Sequence, residues 1–371
     1  MLDAAPPLPP PALEQPAPHQ VSYGLVRGRV GPGTRWVVVA AGGRQLASAL
    51  VRGRRFSFRV SLPVGETTLR VTAVRADGRK ATRVVPEVFG LPAAARPRVV
   101  RARNDPALAR RLRALVREFS GTAAVYVQDL TGGTGAAWNA KARFPAASTL
   151  KVAIAAAVLA EHRGIPLPGS RLGALLREMI VPSDDAAANA LLVWLGGSTS
   201  SGALRVNALM RSLGLTDSLM YGGYLVRSPS SAIPVRVEEA PAFGVGKYTT
   251  AWDLTRLLRA LWLASEDRGP LRTAQPGLTP AEARHVLWLL AHVRDTPKLD
   301  RHLRGRTGVA VLHKAGWISR ARHDAGLVFW RGGVLVAGVL TWRPGGAGLS
   351  SDVLAGKVAA LALERFRRHP R

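Results

Sequence analysis

Cysteine is absent from all 371 residues. That excludes disulfides, thiolate nucleophiles and cysteine-held metals, and leaves the compartment open. Long apolar runs are also missing: none approaches the ~20 residues that a membrane-spanning helix requires. Acidic residues are scarce, with 24 Asp and Glu against 52 Lys and Arg, a formal net charge of +28. Such a balance favours anionic partners: nucleic acid, anionic lipid, or the phosphates and carboxylates of a bacterial envelope. The positive residues are mostly arginines scattered through both halves. No helix-turn-helix, zinc-finger or aromatic RNA-binding pattern accompanies them, so no specific nucleic-acid site is expected. With 47% hydrophobic and 20% charged residues, the composition is that of a folded protein, and the length suffices for a small domain followed by one of enzyme size.

The first 20 residues, MLDAAPPLPPPALEQPAPHQ, lack the basic and apolar regions of a signal peptide. They read as a Pro-rich tether of the kind that follows a removed signal or anchor. An extracytoplasmic or envelope-associated location is the expectation that goes with this. Residues 21–88 alternate in the manner of short strands, with Phe56, Phe58 and Val60 set against Arg55, Ser57 and Arg59 and turn signals about every ten residues. They predict a small immunoglobulin-like β-sandwich, a spacer or binding module. FGLPAAARPR, 89–98, predicts a linker because prolines and small residues oppose both helix and strand.

From 99 to 371 the pattern changes. Leu108, Leu112, Leu115 and Val116 recur at helical spacing over 105–119, behind an Asp-Pro start. Two strand candidates follow, TAAVYVQDL and GAAWNA. Helices are predicted over 148–162, 170–180, 185–195, 202–213, 250–264 and 280–293. Strands VAVLHKAG, DAGLVFW and VLVAGVLTW and a last helix from Asp352 to about Arg367 close the chain. This order predicts an α+β domain whose antiparallel sheet is assembled from both ends, beside a helical subdomain.

The stretch FPAASTLKVAIAAAVLA, 144–160, poses a chemical question. Ser148 and Lys151 stand three apart and share a helix face, while Val152 to Ala160 are apolar on every side, as in a helix buried all round. A charged lysine there costs several kcal/mol unless paired or partly neutral. A desolvated lysine gives up its proton more readily and can take one from a serine hydroxyl, and a helix N-terminus favours the developing negative charge. A lone Ser-x-x-Lys is more often a capping serine beside a lysine snorkelling to water.

Two further segments change the reading. RFPAASTLK (143–151), MIVPSDDAAANALL (179–192) and LHKAGW (312–317) together resemble, in order and spacing, the three motifs of the class A β-lactamases and related penicillin-recognising serine hydrolases. The resemblance covers about residues 100–371. It implies Ser148 as nucleophile, Lys151 as its proton partner, Ser183 as proton shuttle to the leaving nitrogen, and Lys314 as a source of positive potential. It further implies that Asp185, Ala315, Gly316 and Trp317 line the substrate, with the backbone N–H groups of Ser148 and Trp317 forming an oxyanion hole. No metal or other cofactor is implied.

The sequence also departs from that pattern. The second motif ends in Asp185 in place of Asn, and an ionised Asp185 would accept from Lys151 and hold it protonated. Ala315 replaces a hydroxyl that helps hold a substrate carboxylate; Arg320 or Arg322 is a candidate replacement through a bidentate pair. The deacylating glutamate of class A enzymes has no identifiable counterpart: between Leu215 and Lys247 the acids are Asp217, Glu238 and Glu239, none followed by asparagine, and Glu238 or Glu239 could serve if the loop folds back, although two adjacent acids in RVEEAP are more often a solvated turn. Adjacent His323 and Asp324 point to opposite strand faces, so at most one could face the site.

The expected function is a serine acyl-hydrolase acting on β-lactams or peptidoglycan-like amides through an ester on Ser148. A penicillin-binding or D,D-peptidase-like enzyme with slow deacylation is the alternative. A non-catalytic envelope protein on the same scaffold, contacting anionic wall polymers, is the third reading.

Overall fold

The computed structural model describes residues 7–224 and 246–368 and divides the chain into two compact units, Met1–Arg96 and Pro97–Arg371. In the first unit the strands are β1 (Ala12–Gln15), β2 (Gln20–Ser22), β3 (Leu25–Arg29), β4 (Thr34–Ala41), β5 (Arg44–Leu50), β6 (Arg55–Arg59), β7 (Gly65–Arg75) and β8 (Lys80–Gly90). They form a three-stranded sheet β1-β3-β6 and a five-stranded sheet β2-β8-β7-β4-β5. Alternation buries one face of each: Val26, Phe56 and Val60 pack with Val37, Val39, Val71 and Ala73, as the period of two requires.

The boundaries of this unit differ from the sequence expectation. Residues 12–15, inside the stretch read as a tether, pair antiparallel with β3, and Leu13 packs on the core. The stretch read as a linker begins inside β8, Leu91 N–H donates to Ser22 O at 2.9 Å, and Leu91 and Ala95 are buried. Small and proline residues there close the unit because their backbone groups and side chains find partners, which composition alone does not reveal.

The second unit carries β9 (Arg103–Asn104), α1 (Pro106–Arg117), β10 (Thr122–Asp129), β11 (Thr134–Trp138), β12 (Phe144–Pro145), α2 (Lys151–His162), α3 (Arg171–Ile180), α4 (Asp185–Gly196) and α5 (Thr199–Ser212). After the undescribed residues come β13 (Tyr248–Thr249), α6 (Ala251–Ala264), α7 (Pro270–Ala274), α8 (Pro280–Ala291), β14 (Ala310–Trp317), β15 (Ala321–Trp330), β16 (Gly333–Trp342) and α9 (Leu349–Arg367). The six-stranded sheet runs β14-β15-β16-β10-β11-β9, so strands from both ends of the unit lie side by side as expected. β16 is buried along its whole length. Helices on both faces explain its unbroken apolar run: α1 and α9 pack through Leu108, Leu112, Leu354 and Val358, and α6 lies close enough that Gly338 faces Thr255 and Ala251.

Several helix starts follow their caps. Asp105 accepts from Leu108 N at 3.0 Å ahead of Pro106. α5 begins ahead of the expected residue 202 because Ser198 accepts from Ser201 N at 3.0 Å. The predicted helix 148–162 divides into a 3-10 turn, Ala147–Leu150, and α2. Ser148 and Lys151 keep a common face, since positions three apart eclipse in a 3-10 turn. Among the described residues, no helix is long and apolar enough to cross a membrane.

Candidate active site

Lys151 is fully buried at the start of α2, and the residues up to Leu159 are buried with it. Its ammonium is satisfied in a manner an apolar wall could not provide. Nζ donates to Ser183 O at 2.6 Å, to Asp185 Oδ1 at 2.6 Å and, more weakly, to Ser183 Oγ at 3.4 Å. Three donors meet three acceptors. Burial lowers the Lys151 pKa, opposed by the Asp185 hydrogen bond and charge, and the net shift is downward.

The acceptors come from the turn into α4. Asp184 caps this helix, accepting from Ala187 N at 2.6 Å, and Asp185 in the first turn carries its charge where the helix dipole favours an anion. Ser183 adopts φ of +67° and Ala147, just before Ser148, φ of +47°. Neither is glycine, and left-handed backbone in such residues costs of order 1 kcal/mol or more, strain that concentrates at functional segments. Ser183 is thereby turned toward two lysines: Lys314 Nζ donates to Ser183 Oγ at 2.8 Å and to Ala315 O at 2.9 Å.

Lys314 reaches this point from the edge strand β14 and is 1% exposed. Burial first, and then repulsion from Lys151, pushes its pKa down from 10.5 to about 7. Two residues on, Gly316 brings the strand against the nucleophile segment: a Cβ built there would lie 2.7 Å from Ser148 N and 2.9 Å from Thr149 N. Any side chain would push β14 away. Ser148 itself is half-buried. Ala315 is buried, whereas the Trp317 side chain is 60% exposed at the strand end. Ser148, Lys151, Ser183, Asp185 and Lys314 thus converge from three distant segments, with Gly316 packed on the first of them.

The other candidates fare differently. Arg322 Nε is tied to Asp352 Oδ1 at 2.7 Å, so that guanidinium is committed elsewhere, and Arg320 is exposed. Asp324 turns into the protein: it accepts from Leu299 N at 2.9 Å and pairs with His313 Nδ1 at 2.8 Å, behind Lys314. His323 is buried, with Nε2 2.7 Å from Pro145 O, and burial lowers its pKa to about 4. Lys298, also buried, is paired with Asp295 nearby. Glu238 and Glu239 lie outside the described residues.

Three residues of the site gave no signal in the sequence. Asn189, one turn after Asp185, shares its helix face; it accepts from Tyr224 N at 2.6 Å and donates to Tyr224 O at 3.0 Å. The Tyr224 ring lies 4.6 Å from Lys151 Nζ and 4.6 Å from Lys247 Nζ. Lys247 donates to Gly223 O at 2.5 Å. Burial lowers the Lys247 pKa, and burial with the Asp185 charge raises that of the Tyr224 phenol. These contacts span sequence separations that no local pattern encodes. Among the described residues, no three His, Cys, Asp or Glu side chains gather as metal ligands.

An α+β unit with helices on both faces of its sheet and a Ser-x-x-Lys whose lysine is buried at a helix start, facing a second serine and a strand lysine, has the build of the β-lactamase-like serine hydrolases. The chain belongs to the β-lactamase enzyme family, whose model matches residues 107–163 and 168–366. Among solved structures it is similar to PBP-A, with 20% identity and a TM-score of 0.57 over 73% of this chain and 100% of that one. A variant of PBP-A has been solved as an acyl-enzyme complex with penicillin G. A β-lactamase from Sphaerobacter thermophilus is similar at 21% identity, TM-score 0.56, over 72% of this chain and 100% of its own. An ancestral class A β-lactamase is similar at 22% identity, TM-score 0.57, over 70% and 100%. At these identities the likeness concerns the fold. No curated protein matches this sequence.

Proposed function

We propose that this chain is a serine acyl-transfer enzyme that opens β-lactams and peptidoglycan-like amides through an ester on Ser148. Ser148 Oγ bonds to the carbonyl carbon while its proton passes to Lys151, whose pKa burial lowers toward the range of a base. The backbone N–H groups of Ser148 and Trp317 hold the oxyanion. As the carbon–nitrogen bond breaks, Ser183 gives its proton to the departing nitrogen and recovers one from Lys151. The proton that left Ser148 therefore ends on the leaving group, and Lys151 is restored. Lys314 holds Ser183 in place and, at pH below about 7 where it keeps its proton, adds positive potential beside the substrate. No metal enters this scheme.

The observation that carries the reading is Ser183 Oγ, which lies within 2.8 Å of Lys314 Nζ and 3.4 Å of Lys151 Nζ while Gly316 abuts Ser148 N. The PBP-A acyl-enzyme with penicillin G supports the substrate class by analogy. An envelope location, with the +28 surface near anionic wall polymers, accords with such substrates. Intact-mass measurement after incubation with penicillin G tests it: the wild type gains one acyl group and Ser148→Ala gains none. Equal labelling of both proteins refutes the assignment.

A further inference from the structure

The first unit lies outside the family match, and one of its faces carries a charge arrangement that works against folding. In the sheet β1-β3-β6, Leu13, Val26, Phe56 and Val60 turn into the core. The alternate residues Glu14, Arg27, Arg29, Arg55, Ser57 and Arg59 therefore face outward, and each is exposed. The register sets Arg29 directly opposite Arg55 and Arg27 opposite Ser57. Side chains so opposed stand about 5 Å apart at Cβ, where like charges destabilise the pair. Glu14 Oε2 meets Arg27 Nε at 2.8 Å and offsets that one arginine. Arg29 has no acid across the ladder on either side: Ala12 stands on β1 and Arg55 on β6. Asp77 and Glu87, carried by the other sheet and its turn, are matched with Arg79 and His19.

We propose that this arginine face is the docking site for a linear, phosphate-bearing polymer of the cell wall, the choice of a wall polymer resting on the envelope reading above. An anion from outside relieves the repulsion that the ladder leaves in place. Lys80 is the one lysine of this unit, the rest of its fixed positive charge being arginine. The guanidinium fork matches phosphate oxygens bidentately, where an ammonium offers only a point charge. Along β6, Arg55 and Arg59 are spaced by about 13 Å, with the Ser57 hydroxyl between them as a further donor. Nucleic acid is the poorer fit: Phe56 and Phe58 both pack on the core, so the face presents no ring on which a base stacks. A bilayer fits no better, since no large exposed apolar side chain lies on this face to insert. What the face addresses is phosphate and hydroxyl.

The test uses the full-length protein and end-labelled synthetic poly(glycerol phosphate), with binding read by fluorescence anisotropy across a salt series. The wild type is expected to bind, more weakly as salt rises. Arg29→Ser/Arg55→Ser should lose about tenfold in affinity at about 50 mM salt and about 1.4 from the slope of log affinity against log salt, two phosphate contacts at about 0.7 each. Arg110→Ser/Arg117→Ser removes the same charge from exposed positions of α1 and should bind as the wild type does. Should the first pair not fold, Arg29→Lys/Arg55→Lys carries the test: the slope persists while affinity falls, because the fork is lost. A wild type that ignores the polymer, a face variant that binds as the wild type does, an α1 pair that loses as much as the face pair, or duplex DNA bound as tightly as the polymer at equal phosphate concentration overturns the inference. Penicillin G labelling is recorded on the same samples. An unlabelled protein that still binds the polymer through this face refutes the acyl-enzyme reading and leaves the docking site standing, and normal labelling without polymer binding does the reverse.

Discussion

Replacing Lys314 with methionine, which preserves length and apolar stem, isolates the energetic consequence of burying an amine in this site. Lys314 is 1% exposed, and its pKa falls from 10.5 to about 7. At a pH below that folded value both the folded and unfolded chains hold the proton, and the group contributes no pH dependence. Between about 7 and 10.5 the unfolded chain binds a proton that the folded chain has released, so stability rises with pH. The contribution is fully present above the unfolded value and lost as pH falls through the folded one. At 1.36 kcal/mol per unit, the gain from pH 6 to pH 9 is about 3 kcal/mol.

The assay is urea unfolding at pH 6, 7.5 and 9, followed by tryptophan fluorescence, since every tryptophan except Trp36 lies in the second unit. The quantity read is wild-type stability minus that of Lys314→Met at each pH. Lys151 and Lys247, whose pKa values shift in the same direction, remain in both proteins and cancel in the difference to first order. The difference should move in favour of the wild type by about 3 kcal/mol across the range. A difference that stays flat with pH would mean that Lys314 keeps its ordinary proton affinity, and the account of its burial would fail.

Two other substitutions probe the geometry directly. Asp185→Asn removes the carboxylate that raises the Lys151 pKa against burial, so the acid limb of the acylation rate moves to lower pH; stopped-flow labelling across pH checks this, and an unmoved or upward-shifted limb contradicts it. Gly316→Ala places a methyl 2.7 Å from Ser148 N, so β14 must withdraw from the nucleophile. Labelling should fall about 10²-fold, the cost of a misplacement near 1 Å, while circular dichroism remains that of the wild type; unchanged labelling would show that the strand is not needed at that distance.

Much of the fold was legible because its elements announce themselves locally. The Asp-Pro start of α1, the 3.6-residue spacing of Leu108, Leu112 and Val116, and the continuous apolar run of β16 each follow from the residues involved. The segment 143–151 was legible as chemistry for a related reason, a serine and a lysine three apart inside apolar surroundings that demand compensation, whereas 179–192 and 312–317 were legible through their resemblance to the motifs of a known family. Less legible was the edge of the first unit, where β1 hides in a Pro-rich stretch because its hydrogen bonds go to β3 rather than to neighbours in sequence. His323 and Asp324 likewise carried no indication that both would be buried, one against Pro145 and the other against His313.

What the amino-acid order determined by itself was the α+β plan, since periodicity is a property of a short stretch of chain, together with the three segments whose likeness to a family's motifs named the polar groups that had to be brought together. What only the tertiary structure decided was which group faces which. Tyr224 meets Lys151 because Asn189, 35 residues earlier, clamps its backbone. Lys314 loses proton affinity because packing removes water from around it and sets Lys151 nearby. Desolvation and close contact between distant segments arise when the chain closes on itself, and no window of sequence contains them.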